Sequence, residues 1–378
     1  MSSSRTLTSV LAFSVAAFVA PGLIHAKPAP GAPLSAAVCK AINGEWTSPY
    51  TCTIPEGTSA VASSPFKIGA GVTLDIRGSL TIDRGVTVAN MGAITIANSG
   101  SVAPGDWEAG VRVFGTLDNS GTITIQNVYY GTDTSGTEGT EGIFVSLTID
   151  PADSDRVPFV VVPGTLTNSG VITIQNSGNQ TRGIKNDGAM VNSASGVITV
   201  GNSLSGSRGI YNRRGSQGST FYINGTVTNA GSMTISNSGD SDSRGLYNQG
   251  VFTISANGIL TIEPSSDAAM GVVNGGSITS FGTYTNNRGA LDNPEASLGT
   301  YNFGTMVNYG SIFASGIFYN ESIMVNIGTI TSHGGMADVS YGQTMLNYGT
   351  IYNYGGIGGG VNKGFCIDEP GDLPGFGC

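Results

Sequence analysis

A short acidic segment holds the residues best suited to catalysis. Asp150, Asp153 and Asp155 lie close together, and Arg156 follows directly. Polysaccharide-cleaving enzymes use clustered carboxylates for acid–base work, with an Arg or Lys available as a base. Asp153 and Asp155 are therefore candidate catalytic residues. A solvated loop is the alternative, because such runs also favour turns. No cofactor or metal site is predicted, since the acidic spacing fits no calcium-binding loop.

Three arginines form a second candidate site. Arg182, Arg208 and Arg244 each begin a short phrase in which Gly and an apolar residue follow. In a repeat protein, equivalent positions form a column on one face. That column is a candidate binding site for an acidic glycan. The alternative is a solubilising edge, balanced by the nearby Asp240 and Asp242.

Charge and composition narrow the class of protein. The 378 residues carry a formal net charge of −9, and charged residues make up 11% of the chain. An acidic chain with scattered charges is poorly suited to nucleic acid or an anionic membrane, so neither is predicted as a partner. Hydrophobic residues make up 39%, which argues against disorder. Gly, at 58 residues, has about twice its usual share.

The N-terminus is typical of a secretory signal peptide. Arg5 precedes an apolar run over residues 7–20, and Ile24-His25-Ala26 provides a cleavage site. The run is too short to span a bilayer comfortably. We therefore expect a signal peptide over residues 1–26, a secreted or cell-surface location, and no membrane span after cleavage.

The cysteines lie in two close pairs near the ends of the chain. Cys39 and Cys52 form one pair, and Cys366 and Cys378 form the other. Several connectivities are possible. The two local disulfides are favoured, because short loops at opposite ends of a long object cannot easily meet. Free or metal-binding thiols are not expected in a secreted chain.

A recurring phrase of an apolar residue, Thr and an apolar residue dominates the middle of the chain. Its copies are Leu80-Thr81-Ile82, Ile94-Thr95-Ile96, Ile123-Thr124-Ile125, Ile172-Thr173-Ile174, Ile198-Thr199-Val200, Met233-Thr234-Ile235 and Leu260-Thr261-Ile262. This alternation predicts a half-buried strand with Thr on the outer face.

Two further short strands accompany each phrase, one upstream and one downstream. The downstream strand carries a glycine that recurs at Gly183, Gly209, Gly245 and Gly271. A period of roughly 20–50 residues indicates a solenoid or related array. Three strands per period, closed by Asn or Gly, predict an all-β chain folded as a right-handed parallel β-helix. Stacking would place Ile and Val inside, Thr outside, and Asn at corners where amides bond along the stack.

The pattern divides the chain into four parts. Residues 1–26 are the signal peptide, and residues 27–65 form a linker and N-terminal cap with a short helix over residues 35–44. Residues 66–362 form the β-helix, and residues 363–378 form a disulfide-closed C-terminal cap. Caps are expected because open strand edges at a solenoid end invite aggregation.

Recurring Asn-x-Gly phrases carry a family resemblance. They are Asn119-Ser120-Gly121-Thr122-Ile123, Asn168-Ser169-Gly170-Val171-Ile172 and Asn229-Ala230-Gly231-Ser232-Met233. Over residues 66–362 the chain resembles secreted bacterial β-helix proteins, particularly adhesins and autotransporter passengers. It departs from autotransporters in its C-terminal segment, which is too short for a translocator barrel. The resemblance implies a surface or extracellular role, with glycans or other cell-surface molecules as partners.

These observations support three hypotheses about function. The first is a secreted or cell-surface structural or adhesive β-helix protein without catalytic activity. The second is a polysaccharide lyase or hydrolase with its site on the insertion 128–162. The third is an extracellular filament subunit that self-associates through its coil ends.

Overall fold

The protein is a parallel β-helix built from three long sheets. The structure is a computed structural model that describes residues 31–97, 109–126, 141–149, 161–176, 181–202, 206–217, 221–237, 243–263, 270–287, 298–314, 317–332, 336–338, 345–353, 357–358, 361–362 and 365–368. Within these ranges the sheets contain 13, 14 and 12 strands, named here sheets A, B and C.

The strands of each sheet follow one another in chain order. Sheet A consists of Ala32–Pro33, Phe66–Ile68, Thr87–Asn90, Thr116–Asn119, Thr165–Asn168, Ala189–Asn192, Thr226–Asn229, Val251–Ile254, Ser277–Ser280, Thr305–Asn308, Ile323–Asn326, Met345–Asn347 and Val361–Asn362. Sheet B consists of Glu45–Ser48, Thr51–Ile54, Thr73–Ile76, Ala93–Ala97, Thr122–Gln126, Val171–Asn176, Val197–Asn202, Ser232–Asn237, Ile259–Glu263, Thr283–Asn286, Ser311–Ala314, Thr329–Ser332, Thr350–Asn353 and Phe365–Asp368. Sheet C consists of Ser59–Ala62, Ser79–Ile82, Ala109–Val113, Glu141–Val145, Arg182–Asn186, Arg208–Asn212, Arg244–Asn248, Met270–Asn274, Leu298–Asn302, Ile317–Asn320, Met336–Asp338 and Ile357–Gly358.

Each coil passes through the three sheets in the order A, B, C. Neighbouring coils pair in parallel, and Ile123 aligns with Ile94 on one side and Ile172 on the other. These side chains are buried, whereas the intervening Thr side chains face outward. The period of two along each strand thus places apolar residues inside and Thr outside. The predicted parallel β-helix is confirmed.

Asparagine ladders stack inside two corners of the coil. One lies at the end of sheet A and joins Asn90, Asn119, Asn168, Asn192 and Asn229 through amide–amide hydrogen bonds of 2.7–2.8 Å. The other lies at the end of sheet C and runs from Asn186 to Asn320. These side chains are almost completely buried, so the hydrogen bonds satisfy amides that water cannot reach.

The N-terminal end is covered by a short helix and a hairpin. The helix Ala36–Ala41 has Ser35 as its N-cap, and it buries Cys39. The predicted disulfide between Cys39 and Cys52 is present. Parallel pairing already includes Thr51–Ile54, ahead of the residue 66 boundary expected from the sequence. Cys378 lies outside the described residues, so the disulfide with Cys366 stays a prediction.

Some details differ from the sequence pattern. The first phrase copy, Leu80-Thr81-Ile82, lies in sheet C, whereas the later copies lie in sheet B. Two antiparallel hairpins project from the corner between sheets C and A. Leu147–Ile149 pairs with Val161–Pro163 in one, and Arg214–Gln217 pairs with Phe221–Asn224 in the other. No helix in the described part of the chain is long and apolar enough to cross a bilayer.

Candidate functional site: an arginine–tyrosine ladder on sheet C

The three repeated arginines lie directly above one another. Arg208 pairs in register with Arg182 in the preceding coil and with Arg244 in the following coil. Tyr211 and Tyr247 align on neighbouring strands and form a second column beside the arginines. Lys185 occupies the same column on the preceding strand. We call Arg182, Arg208, Arg244, Tyr211 and Tyr247 the arginine–tyrosine ladder.

The glycine that follows each arginine makes this arrangement possible. A Cβ on Gly209 would lie 2.0 Å from Val200 Cγ1 and 2.7 Å from the carbonyl oxygen of Gly245. A larger residue therefore cannot occupy this position without moving sheet B or sheet C. The next residue, Ile210, enters the core, and Tyr211 points to the opposite side of the sheet, where it is buried against its neighbours.

Guanidinium groups and tyrosine rings alternate along the ladder. The Cζ atoms of Arg182 and Arg208 lie 5.2 and 4.7 Å from the centroid of the Tyr211 ring. Those of Arg208 and Arg244 lie 5.1 and 4.6 Å from the Tyr247 centroid. Each ring thus contacts two cations, a favourable interaction that offsets part of the repulsion between the arginines.

The two tyrosine rings stack on each other and are held by one glutamine. Their centroids are 5.1 Å apart, and their planes differ by 8°. Tyr211 Oη donates a hydrogen bond to Gln249 Oε1 at 2.8 Å, and Gln249 Nε2 donates to Tyr247 Oη at 2.6 Å. Gln249 therefore bridges the hydroxyl groups and fixes the spacing of the rings.

The ladder is partly desolvated and positively charged. Burial lowers the pKa of Arg208, and the charges of Arg182 and Arg244 lower it further. An arginine nevertheless stays protonated in proteins. Burial also raises the pKa of Tyr211, so this hydroxyl stays neutral and acts as a hydrogen-bond donor at physiological pH. Arg182 and Tyr211 are buried, whereas Arg208 and Arg244 are half-buried, so these two guanidinium groups present most of the ladder's positive charge.

A buried carboxylate organises one end of the ladder. Glu141 Oε1 lies 2.7 Å from Lys185 Nζ and 3.2 Å from Arg182 Nη1. The Lys185 side chain is 1% exposed and its Nζ lies 4.5 Å from the centroid of the Phe144 ring. A buried lysine requires such partners, since removing an unpaired charge from water costs several kcal/mol, on the order of 5.

A second ion pair lies at the adjacent corner. Arg213 donates to both carboxylate oxygens of Asp187, at 3.0 and 2.7 Å. This bidentate pair joins the coil of Lys185 to the coil of Tyr211 just beside the ladder.

Sequence reasoning identified the arginines and missed Glu141, Lys185 and Gln249. Glu141 was recognisable, because Glu141-Gly142-Ile143 repeats the pattern of Arg182-Gly183-Ile184 one coil earlier. Nothing in the sequence pattern distinguished Gln249 from other corner residues. Its role depends on the approach of two tyrosines from consecutive coils.

The catalytic candidates Asp153 and Asp155 lie outside the described residues, as do Asp150 and Arg156. The insertion 128–162 is described at 141–149 and 161–162, where it forms part of sheet C and most of the first hairpin. Within the described ranges, no three His, Cys, Asp or Glu side chains converge where they could hold a metal ion.

The fold and the ladder together define a parallel β-helix with a partly buried cationic and aromatic strip along sheet C. Comparisons with models of protein families, with curated proteins and with solved structures found no match.

Proposed function

We propose that this protein is a secreted, non-catalytic β-helix scaffold of the adhesin type, and that the arginine–tyrosine ladder binds an acidic polysaccharide. The observation that carries the proposal is the in-register alternation of three guanidinium groups with two stacked tyrosine rings. Repetition of one cation per coil suits a polymer that repeats its own anionic group.

Geometry favours a carboxylated or sulfated glycan. Guanidinium groups recognise carboxylate and similar oxyanions through paired N–H donors. Strand pairing spaces successive arginines by about 4.8 Å, a distance close to the length of one sugar unit in an extended chain. Tyr211 and Tyr247 restrict the guanidinium groups before a ligand arrives, which reduces the entropy lost on binding.

Charge distribution supports the same conclusion. The chain as a whole carries a net charge of −9. Against this background, Arg182, Arg208 and Arg244 lie on consecutive strands of sheet C, and Glu141 on the strand before them pairs with Arg182 and Lys185. Such a local concentration of positive charge attracts an anionic polymer, whereas the remaining acidic surface repels it.

Two features support secretion. Residues 1–26 have the composition of a signal peptide. The disulfide between Cys39 and Cys52 is typical of proteins that mature in an oxidising compartment.

The proposal is tested by calorimetric titration of the purified chain with polygalacturonate, alginate and heparin, with uncharged dextran as the reference. We expect binding to at least one acidic polymer and weakening as salt is added. Arg208→Gln removes the central charge and should weaken binding about tenfold or more. Sugars released in the same mixtures would indicate that the protein is instead a polysaccharide lyase or hydrolase.

The matched control is Arg77→Gln. Arg77 is an exposed arginine that pairs with Asp75 away from the ladder, so its loss should leave binding unchanged. If the Arg208→Gln variant bound acidic polysaccharide as tightly as the unaltered chain, the proposal would be contradicted. Preferential binding to DNA, or no binding to any acidic glycan, would also contradict it.

A further inference from the structure

A second cluster of aromatic side chains lies on sheet C, beyond the ladder. Tyr301 and Tyr319 are paired in register on neighbouring strands. Phe303 and Glu321 occupy the two corners that follow these strands, and the Glu321 amide donates to the Asn302 carbonyl oxygen at 2.7 Å. We call Tyr301, Tyr319, Phe303 and Glu321 the aromatic patch. The strand Met270–Asn274 separates it from the last arginine of the ladder.

The rings of the aromatic patch are arranged differently from those of the ladder. Tyr301 is tilted by 46° to Phe303 and by 54° to Tyr319, with centroids 5.4 Å apart in both pairs. Tyr211 and Tyr247, in contrast, lie face to face. Tilted rings do not cover one another's faces, so part of each face remains open to a ligand. Phe303 is 40% exposed, and both tyrosines are half-buried.

A glycine in the preceding coil sets the position of Phe303. A Cβ on Gly275 would lie 2.4 and 2.5 Å from Phe303 Cε2 and Cζ. The Phe303 ring therefore lies against the backbone of Gly275, where any side chain would push it away. This contact supports the ring from the preceding coil, and Phe303 remains 40% exposed.

Glu321 supplies a polar group beside the rings. Tyr301 Oη donates to Glu321 Oε2 at 2.5 Å. Burial and the carboxylate of Glu321 together raise the pKa of Tyr301 to about 12, so the hydroxyl stays protonated and keeps donating. Glu321 is exposed, and a carboxylate can accept several hydrogen bonds at once. Tyr319 also forms a side-chain hydrogen bond with Glu321. Both tyrosine hydroxyls therefore meet this one carboxylate, whose remaining lone pairs can accept from a ligand above the rings.

We infer that the aromatic patch is a binding site for a neutral sugar unit, which would place C–H groups on Phe303 and Tyr319 and donate hydroxyl hydrogen bonds to Glu321. Tilted aromatic rings match the apolar face of a pyranose. The adjacent carboxylate matches its hydroxyl groups and disfavours an anionic sugar. The inference does not depend on the proposed function of the ladder, because it uses different residues and a ligand of different charge.

The test is a calorimetric titration of the full chain with neutral hexasaccharides of glucose, mannose, galactose and N-acetylglucosamine. We expect binding to at least one of them, with little dependence on salt. Tyr319→Ala and Phe303→Ala should each weaken it about tenfold. Glu321→Gln should weaken it by a smaller factor, because an amide oxygen still accepts a hydrogen bond but without the charge.

Phe281→Ala is the matched control. Phe281 is also an exposed aromatic residue, but it stacks with Tyr309 at the corner between sheets A and B. Gly275→Ala adds an independent measurement, because it should displace Phe303 and weaken binding while every ligand-contacting side chain is kept. Thermal unfolding followed by circular dichroism identifies any variant that loses its fold.

The inference is overturned if no neutral hexasaccharide binds, or if the Phe303 and Tyr319 variants bind as well as the unaltered chain. Tighter binding of tetramethylammonium than of any sugar would also overturn it, since the aromatic patch would then be a cation-binding site. Arg208→Gln should leave neutral sugar binding unchanged, which keeps a failure of this site distinguishable from a failure of the ladder.

Discussion

At the scale of single residues, the asparagine ladders place many buried polar side chains inside the molecule. Asn212 accepts from Asn186 and donates to both Asn248 and the Val251 carbonyl oxygen, and its side chain is fully buried. Asn212→Ala would remove the donor to Asn248 Oδ1 and the Val251 carbonyl oxygen, and it would remove one of the acceptors of Asn186, which keeps its bond to Thr226. We expect a loss of about 3 kcal/mol in the free energy of unfolding, because each unsatisfied buried group costs ~1–3 kcal/mol. Chemical denaturation measures this directly.

Asn257→Ala provides the comparison for that variant. Asn257 is exposed in a turn, so its replacement should change the free energy of unfolding by less than about 0.5 kcal/mol. Similar losses in the two variants would show that the ladder hydrogen bonds contribute little to stability.

At the scale of elements, close contact between sheets B and C depends on the glycine column. Gly209→Ala brings a methyl group against Val200 and the Gly245 carbonyl oxygen. Overpacking of this kind costs ~1–3 kcal/mol, and the shift of the strand should also disturb Arg208 and Tyr211. We therefore expect both lower stability and weaker binding of acidic polysaccharide, measured by denaturation and calorimetry.

Gly201→Ala is the paired variant on sheet B. A Cβ there meets nothing closer than the Ile174 carbonyl oxygen at 3.8 Å, an ordinary contact. Stability and binding should both be retained. If the Gly209 variant behaved in the same way, the proposed steric origin of the ladder geometry would be wrong.

The elements also show what the sequence could and could not predict. Alternation predicted which face of Ile123-Thr124-Ile125 is buried, because a period of two leaves no other choice in a strand. The repeated Arg-Gly-apolar phrase predicted the arginine column, because equivalent positions of successive coils stack in register. The repeat places Glu141 beside Arg182, but its ion pair with Lys185 was not predictable, since it depends on how a side chain three positions along the next strand bends back toward it. The sequence did not predict the aromatic patch, because Tyr301 and Phe303 belong to coils in which the repeat pattern has changed.

At the scale of the whole molecule, the described strands of sheets A, B and C pair each coil with the coils directly before and after it. Stability in such a solenoid is nearly a sum of local terms, and unfolding can begin at an end. The N-terminal end has specific protection. The Ala36–Ala41 helix is tied to the first parallel strand of sheet B by the disulfide, and Glu45–Ser48 covers that strand's edge in antiparallel pairing.

This arrangement makes the effect of removing the disulfide local. Cys39 and Cys52 are separated by 13 residues, and closing a loop of this size contributes about 3 kcal/mol. In the Cys39→Ala, Cys52→Ala double variant, amide hydrogen exchange in Thr51–Ile54 and Thr73–Ile76 should therefore accelerate by about 100-fold. Exchange in Val197–Asn202, several coils away, should stay unchanged, because that strand pairs with Val171–Asn176 and Ser232–Asn237, far from the N-terminal cap. Mass spectrometry of peptides from both regions measures the difference within one sample. Uniform acceleration along the chain would instead mean that the solenoid unfolds as one cooperative unit, and the nearest-neighbour description would fail.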